Sequence, residues 1–136
     1  MVRQRSTADK NMSIKVLIIE NEQALVTALY DYLGTRGFDC DAALEAAEAQ
    51  ALLAHVPFDV VLTDIYLSDL NEADGLRVLS FIRERALNVR LVVMTAHASP
   101  QLESEAIRLG ADAILHKPVS LSVLADALTA VSGSKV

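Results

Sequence analysis

Residues 14–19 form a nearly unbroken apolar run, rich in β-branched side chains, that stops abruptly at Glu20. A strand buried on both faces of a parallel sheet reads this way, because no side of it faces solvent and alternation has no purpose. The pattern returns in shorter form at residues 60–62, 91–94 and 113–115. Each of these runs adjoins a helical pattern, which is the rhythm of strands joined by crossovers. Residues 38–42 are a weaker candidate, suited to a sheet edge.

Between the runs the apolar residues change period. Leu25, Ala28, Leu29, Tyr32 and Leu33 recur at helical spacing, as do Leu76, Leu79, Ile82 and Ala86, and then Leu121, Leu124, Leu128 and Val131. An Ala-rich stretch over residues 44–55 makes a further helix. Gly37 is placed to end the first helix in a left-handed conformation, and Ser99 followed by Pro100 is a fitting helix start. Five strands alternating with five helices imply an α/β fold with a parallel sheet covered on both faces, since parallel neighbours require right-handed crossovers.

A length of 136 residues suits one domain. Residues 13–132 are taken as that domain, with residues 1–12 a loose polar tail and residues 133–136 a short polar end. The chain is half apolar but poor in aromatics, so its core must come from Ala, Val, Leu and Ile. A net charge of −6 without a basic stripe argues against nucleic acid as a partner. Neither a secretory leader nor a span long enough for a bilayer is evident. The lone Cys40 can form no internal disulfide, so a reducing cytoplasm is expected.

In an open parallel sheet the loops at the carboxyl ends of the strands meet in a crevice, and ligands bind there. Those ends carry Glu20, Asn21 and Glu22 after the first strand, Asp64 after the third, Thr95 after the fourth and Lys117 after the fifth. A carboxylate nucleophile, oxygen donors for Mg²⁺, a hydroxyl and an ammonium are the parts that phosphoryl transfer needs. Any one of them is common; their order on successive strand ends is specific.

The segments Lys15-Val-Leu-Ile-Ile-Glu-Asn-Glu22, Asp59-Val-Val-Leu-Thr-Asp64, Val92-Val-Met-Thr-Ala96 and Gly110-Ala-Asp-Ala-Ile-Leu-His-Lys-Pro118 resemble, in order, the motifs of response-regulator receiver domains. The resemblance covers residues 14–131. It implies a CheY-like, flavodoxin-like (βα)5 doubly wound fold, with five parallel strands in the order 2-1-3-4-5. It also implies that Asp64 accepts phosphate from a histidine kinase or a histidine phosphotransfer protein, with Thr95 and Lys117 contacting the phosphoryl group. By the same analogy Mg²⁺ would be held by Glu20, Asn21, Asp64 and the backbone carbonyl of Tyr66, and Pro118 would follow a cis peptide bond. Pure scaffolding has no physical need for Asp64, Thr95 and Lys117 together, which weighs against reading them as a turn acid, a β-former and a solvated lysine.

Three departures from the resemblance stand out. Glu20 and Asn21 occupy places where the family usually has two aspartates, and Asn21 offers a hard ion a neutral oxygen instead of a charged one. A weakly bound Mg²⁺ is the expectation. The stretch from Asp64 to Gly75 is about three residues longer than usual, with Ser68 where proline is common, and it carries Asp69, Glu72 and Asp74. It reads as a solvated acidic loop. Ile114 stands where the family usually has an aromatic, so the usual hydroxyl-to-aromatic switch has no partner here.

His97 and His116, separated and unpaired, read as loop and sheet-edge residues, His55 as a helix-end residue, and Cys40 as a small apolar strand residue. The chain is therefore expected to be a single-domain receiver in phosphorelay signalling. It would signal by contact with a further protein, as a monomer or weak homodimer, and its only chemistry would be gain and loss of its own phosphate. The alternative is a pseudo-receiver, the same fold used as a phosphorylation-independent interaction module. A small aspartate-dependent phosphatase carries less weight, because neither a general acid nor a cap is visible.

Overall fold

The computed structural model describes residues 13–67, 74–85, 87–96 and 99–133. Its elements alternate: β1 (Lys15–Ile19), α1 (Gln23–Thr35), β2 (Asp39–Ala43), α2 (Ala46–His55), β3 (Val60–Asp64), α3 (Asp74–Glu84), β4 (Arg90–Thr95), α4 (Pro100–Arg108), β5 (Ala113–His116) and α5 (Leu121–Gly133). The strands form one parallel sheet in the order β2-β1-β3-β4-β5, so the expected α/β architecture and strand order both hold. The expected cis bond is present between Lys117 and Pro118.

Burial follows the sequence pattern. All five residues of β3 are buried, as are the last four of β1 and the last five of β4. β2 carries Asp39 and Asp41 on the less buried side, which fits an edge. Two apolar layers sandwich the sheet. On one face Leu17, Ile19, Val61 and Val93 pack with Leu53, Leu79, Ile82 and Ala106 from α2, α3 and α4. On the other, Val16, Ile18, Leu62 and Met94 pack with Leu29, Leu33, Leu124 and Leu128 from α1 and α5. Successive strand residues face opposite layers, which is why runs without alternation are needed.

α1 differs in one detail from its predicted apolar face. Val26 is buried with Leu29 and Leu33, whereas Ala28 is exposed. The helix sets its stripe by the larger side chains and leaves the alanine, which gains least from burial, toward solvent. Gly37 follows this helix with φ 92°, in the left-handed region as expected, and Gly110 does the same after α4 with φ 103°. Ser99 caps α4 by accepting from the Leu102 amide, and Pro100 opens the helix.

The order in which strands are added to the sheet reverses between β1 and β3. After β1 the chain steps outward to β2, then returns past β1 to lay down β3, β4 and β5. The crevice left at the carboxyl ends of β1 and β3 is where such sheets present ligand-binding groups.

Candidate functional site

Four polar residues are buried among the described residues: Glu20 (1% exposed), Thr63 (1%), Asp64 (6%) and Thr95 (1%). Three of them sit at carboxyl ends of central strands. Glu20 follows β1 and stays in line with it, because its amide still donates to the Ala43 carbonyl of β2 at 3.1 Å. Asp64 ends β3 in register with Met94, and the ladder continues one residue further through the Ile65 amide and the Met94 carbonyl (3.1 Å). Thr95 ends β4, and its carbonyl accepts from the Lys117 amide at 2.8 Å, which fixes where the lysine leaves β5.

The Lys117 side chain crosses the crevice and joins the acids. Its Nζ donates to Asp64 Oδ2 at 2.7 Å and to Glu20 Oε1 at 2.8 Å. Each carboxylate is also held from behind by the backbone: Asp64 Oδ1 accepts from the Tyr66 amide at 3.0 Å, and Glu20 Oε2 accepts from the Glu22 amide at 3.0 Å. Burial lowers the Lys117 pKa, but the hydrogen bonds to Asp64 and Glu20 outweigh it and leave the ammonium above its ordinary value. Lys117 is thus charged across the physiological range.

Of the residues expected at the site, Asp64, Lys117 and Glu20 meet directly, Thr95 ends the strand between Asp64 and Lys117, and Tyr66 is half-buried just beyond Asp64. Asn21 is exposed, as is Glu22. Ile114 packs partly buried against the layer formed with α2, α3 and α4. An apolar groove of about 350 Å³ opens beside the cluster, lined by Glu22, Leu25, Met94, Ala96, Lys117 and Pro118.

The donor set fits a hard cation. Two buried carboxylates face one ammonium, so one negative charge of the cluster is unbalanced, and a buried unbalanced charge is costly. All the side-chain donors are oxygens, the atoms Mg²⁺ prefers. Among the described residues no group of three or more His, Cys, Asp or Glu gathers as a full metal cage. An ion sharing its shell with water and a phosphoryl group needs no such cage.

Sequence reasoning missed Gly75. Its amide donates to the Ile65 carbonyl at 2.7 Å, and a Cβ there would lie 2.0 Å from the Asp64 carbonyl oxygen and 2.8 Å from Ile65 Cα. The start of α3 is thereby pressed against the backbone that carries Asp64, at a distance only glycine permits. The available signal was a glycine in a helix first turn directly after the acidic stretch.

His116 requires a correction. It lies at the end of the edge strand as expected, but it is not unpaired: its Nε2 is 2.9 Å from Glu103 Oε2 of α4. The pairing joins β5 to α4, and sequence spacing carries no sign of it. His97, Ser68, Asp69 and Glu72 fall outside the described residues. Cys40 is buried, and burial followed by Asp39 and Asp41 pushes its thiol up to about 12, consistent with an inert strand residue. No helix among the described residues is long and apolar enough to cross a membrane.

A family model described as the response regulator receiver domain matches residues 16–129. The chain is 31% identical over 122 residues to the sensor histidine kinase RcsC of Salmonella typhimurium, covering 90% of this chain and 13% of that protein. It is 34% identical over 110 residues to the response regulator protein PilR of Pseudomonas aeruginosa, covering 81% of this chain and 24% of that one. The chain thus spans about a quarter or less of the length of these curated relatives. Among solved structures, a two-component response regulator from Clostridium difficile superimposes with a TM-score of 0.78 at 28% identity, over 87% of this chain and 94% of that one. A CheY-like receiver domain protein from Methanospirillum hungatei gives a TM-score of 0.81 at 24% identity, over 89% and 94%.

Proposed function

Because the chain belongs to the response regulator receiver domain family, we propose that Asp64 is its phosphoacceptor and that it takes phosphate from a phosphohistidine donor in a two-component pathway. The observation that carries this is the single ammonium of Lys117 held between the buried carboxylates of Asp64 and Glu20, at 2.7 and 2.8 Å.

In the reaction an Asp64 carboxylate oxygen attacks phosphorus, the P–N bond to the donor imidazole breaks, and the imidazole leaves with the bonding pair and takes a proton. The product is an acyl phosphate, which water later hydrolyses to restore the carboxylate. On this reading Lys117 balances charge on the phosphoryl oxygens and the Thr95 hydroxyl donates to one of them. Mg²⁺, when bound, would supply further charge neutralisation for the transfer. Glu20, Asn21, Asp64 and the Tyr66 carbonyl are the groups that would hold it. The chain's own chemistry is limited to gaining and losing this phosphate, and its output is contact with a partner protein in the cytoplasm.

The test is incubation with a small phosphodonor and Mg²⁺ followed by intact-mass measurement. One added phosphate is expected, and Asp64→Asn should take up none. A second reading, a pseudo-receiver whose contacts do not depend on phosphate, is favoured by the exposed Asn21 and by Ile114 in the place of an aromatic. Absence of any mass gain over a wide range of Mg²⁺ would decide for it.

A further inference from the structure

We propose that residues 1–12 of this chain dock against its own fold, with their basic side chains on an acidic, apolar-floored groove where α2 leaves the sheet. This is the end of the sheet opposite Asp64, so the proposal stands apart from the phosphoacceptor reading.

The groove lies between the turn from α2 into β3 and the lead into β4. It holds about 500 Å³, and Leu53, Val56, Phe58 and Leu87 give it apolar walls while Asp59 is its acid. His55 and Val56 also line an adjoining groove of about 430 Å³, to which Asp41 and Glu48 contribute. Among the described residues no lysine or arginine lines either one. At the same end Lys15 is shared between Asp39 at 3.3 Å and Asp41 at 3.8 Å, and Arg90 faces Asp112 at 3.7 Å. Apolar surface rimmed by acids fits an occupant that is basic and carries some apolar side chains.

The chain supplies such a segment beside the groove. Residues 1–12 carry Arg3, Arg5 and Lys10 against the single acid Asp9, with Val2 and Met12 as apolar side chains, in a chain whose net charge is −6. The segment joins the described fold at Ser13, two residues before Lys15. Lys15 already adjoins the groove wall: its amide donates to Asp59 Oδ2 at 2.9 Å, and its carbonyl accepts from the Asp59 amide at 2.8 Å. Its ammonium lies 5.6 Å from the centre of the Phe58 ring. Twelve extended residues reach about 40 Å, so both grooves are within range. A tethered segment meets its site at an effective concentration in the millimolar range, so contacts that are weak one by one suffice. A second copy presenting this same end would bring the same acids and be repelled.

The experiment places a nitroxide spin label on Ser6→Cys in the full chain. Cys40 is buried with its thiol pushed up to about 12, so it stays unlabelled. Amide signals are compared with the label oxidised and reduced, in low salt. Those between Leu53 and Asp59 and between Leu87 and Val89 should lose about half their intensity or more, while those of α5, on the other face of the sheet, keep nearly all of theirs. The tail reversal Arg3→Glu/Arg5→Glu/Lys10→Glu should restore the lost signals. Asp41→Asn/Glu48→Gln should restore them in part, as should 1 M salt, where the screening length falls to about 3 Å. Loss spread evenly over the surface, loss centred on another face, or loss at the groove that the tail reversal leaves in place overturns the proposal. So does loss confined to an unlabelled copy mixed with the labelled one, which would assign the groove to a second chain. The tail reversal changes no residue of a strand or helix, so a folding defect does not obscure the outcome.

Discussion

The two ends of the sheet use the same chemical groups to different effect. At the amino end Lys15 pairs with Asp39 at 3.3 Å and with Asp41 at 3.8 Å, Arg90 pairs with Asp112 at 3.7 Å, and Asp59 and Asp112 accept from the Lys15 and Leu91 amides. At the carboxyl end Lys117 bridges Asp64 and Glu20. The amino-end pairs are partly solvated: the Lys15 side chain is 29% exposed and that of Asp39 is 38%. Such pairs are screened and contribute little, and here they trim strand ends and pin loops. The carboxyl-end cluster is withdrawn from water with more negative than positive charge, an arrangement that stability alone does not favour. That contrast marks which end is built for chemistry.

The sharpest way to break the contrast is at Gly75, where the backbone of Asp64 is braced. Gly75→Ala places a methyl 2.0 Å from the Asp64 carbonyl oxygen, and backbone must move to admit it. A loss of about 3 kcal/mol in urea unfolding is expected. Gly34→Ala, in α1 with nothing within 4 Å of the added carbon, should instead gain up to about 1 kcal/mol. Next in size is Lys117→Met, which strips two buried carboxylates of their shared counter-charge and should cost about 2 to 3 kcal/mol. Its pH dependence has a defined sign. The folded-state pKa of Lys117 lies above the ordinary 10.5, so the stabilisation is present below 10.5 and declines as pH rises through the raised value. The difference between wild type and Lys117→Met should therefore be flat from neutral pH to about pH 9 and shrink only in stronger alkali.

Much of this contrast was legible in the sequence. Runs without alternation gave β1, β3 and β4 because strands buried on both faces tolerate nothing else, and β2 was weaker because Asp39 and Asp41 interrupt it. Asp64, Thr95 and Lys117 could be placed because strand ends in such a sheet converge. Three features were hidden. Which of Glu20, Asn21 and Glu22 turns inward depends on how the chain leaves β1, and only Glu20 does. The pressure of Gly75 on Asp64 and the pairing of His116 with Glu103 join consecutive elements, β3 with α3 and α4 with β5, but they depend on how each helix docks against the sheet, which no local period or spacing encodes.

The smallest expected effect belongs to the amino end and sharpens the comparison most cleanly. Lys15→Met keeps an apolar stem and removes the ammonium, which faces Asp39 and Asp41 and lies 5.6 Å from the centre of the Phe58 ring. Because both partners are more than a quarter exposed, the loss should be about 0.5 kcal/mol or less in low salt. Raising the salt should erase most of it, since the screening length falls to about 3 Å at 1 M. The Lys117→Met loss, arising where the Asp64 and Glu20 carboxylates are buried, should be much less sensitive to the same salt. Unfolding curves of the two variants at low and high salt therefore separate a solvated ion pair from a buried cluster. Equal salt sensitivity at both ends would show that the crevice around Asp64 is as open to water as the strand ends opposite it.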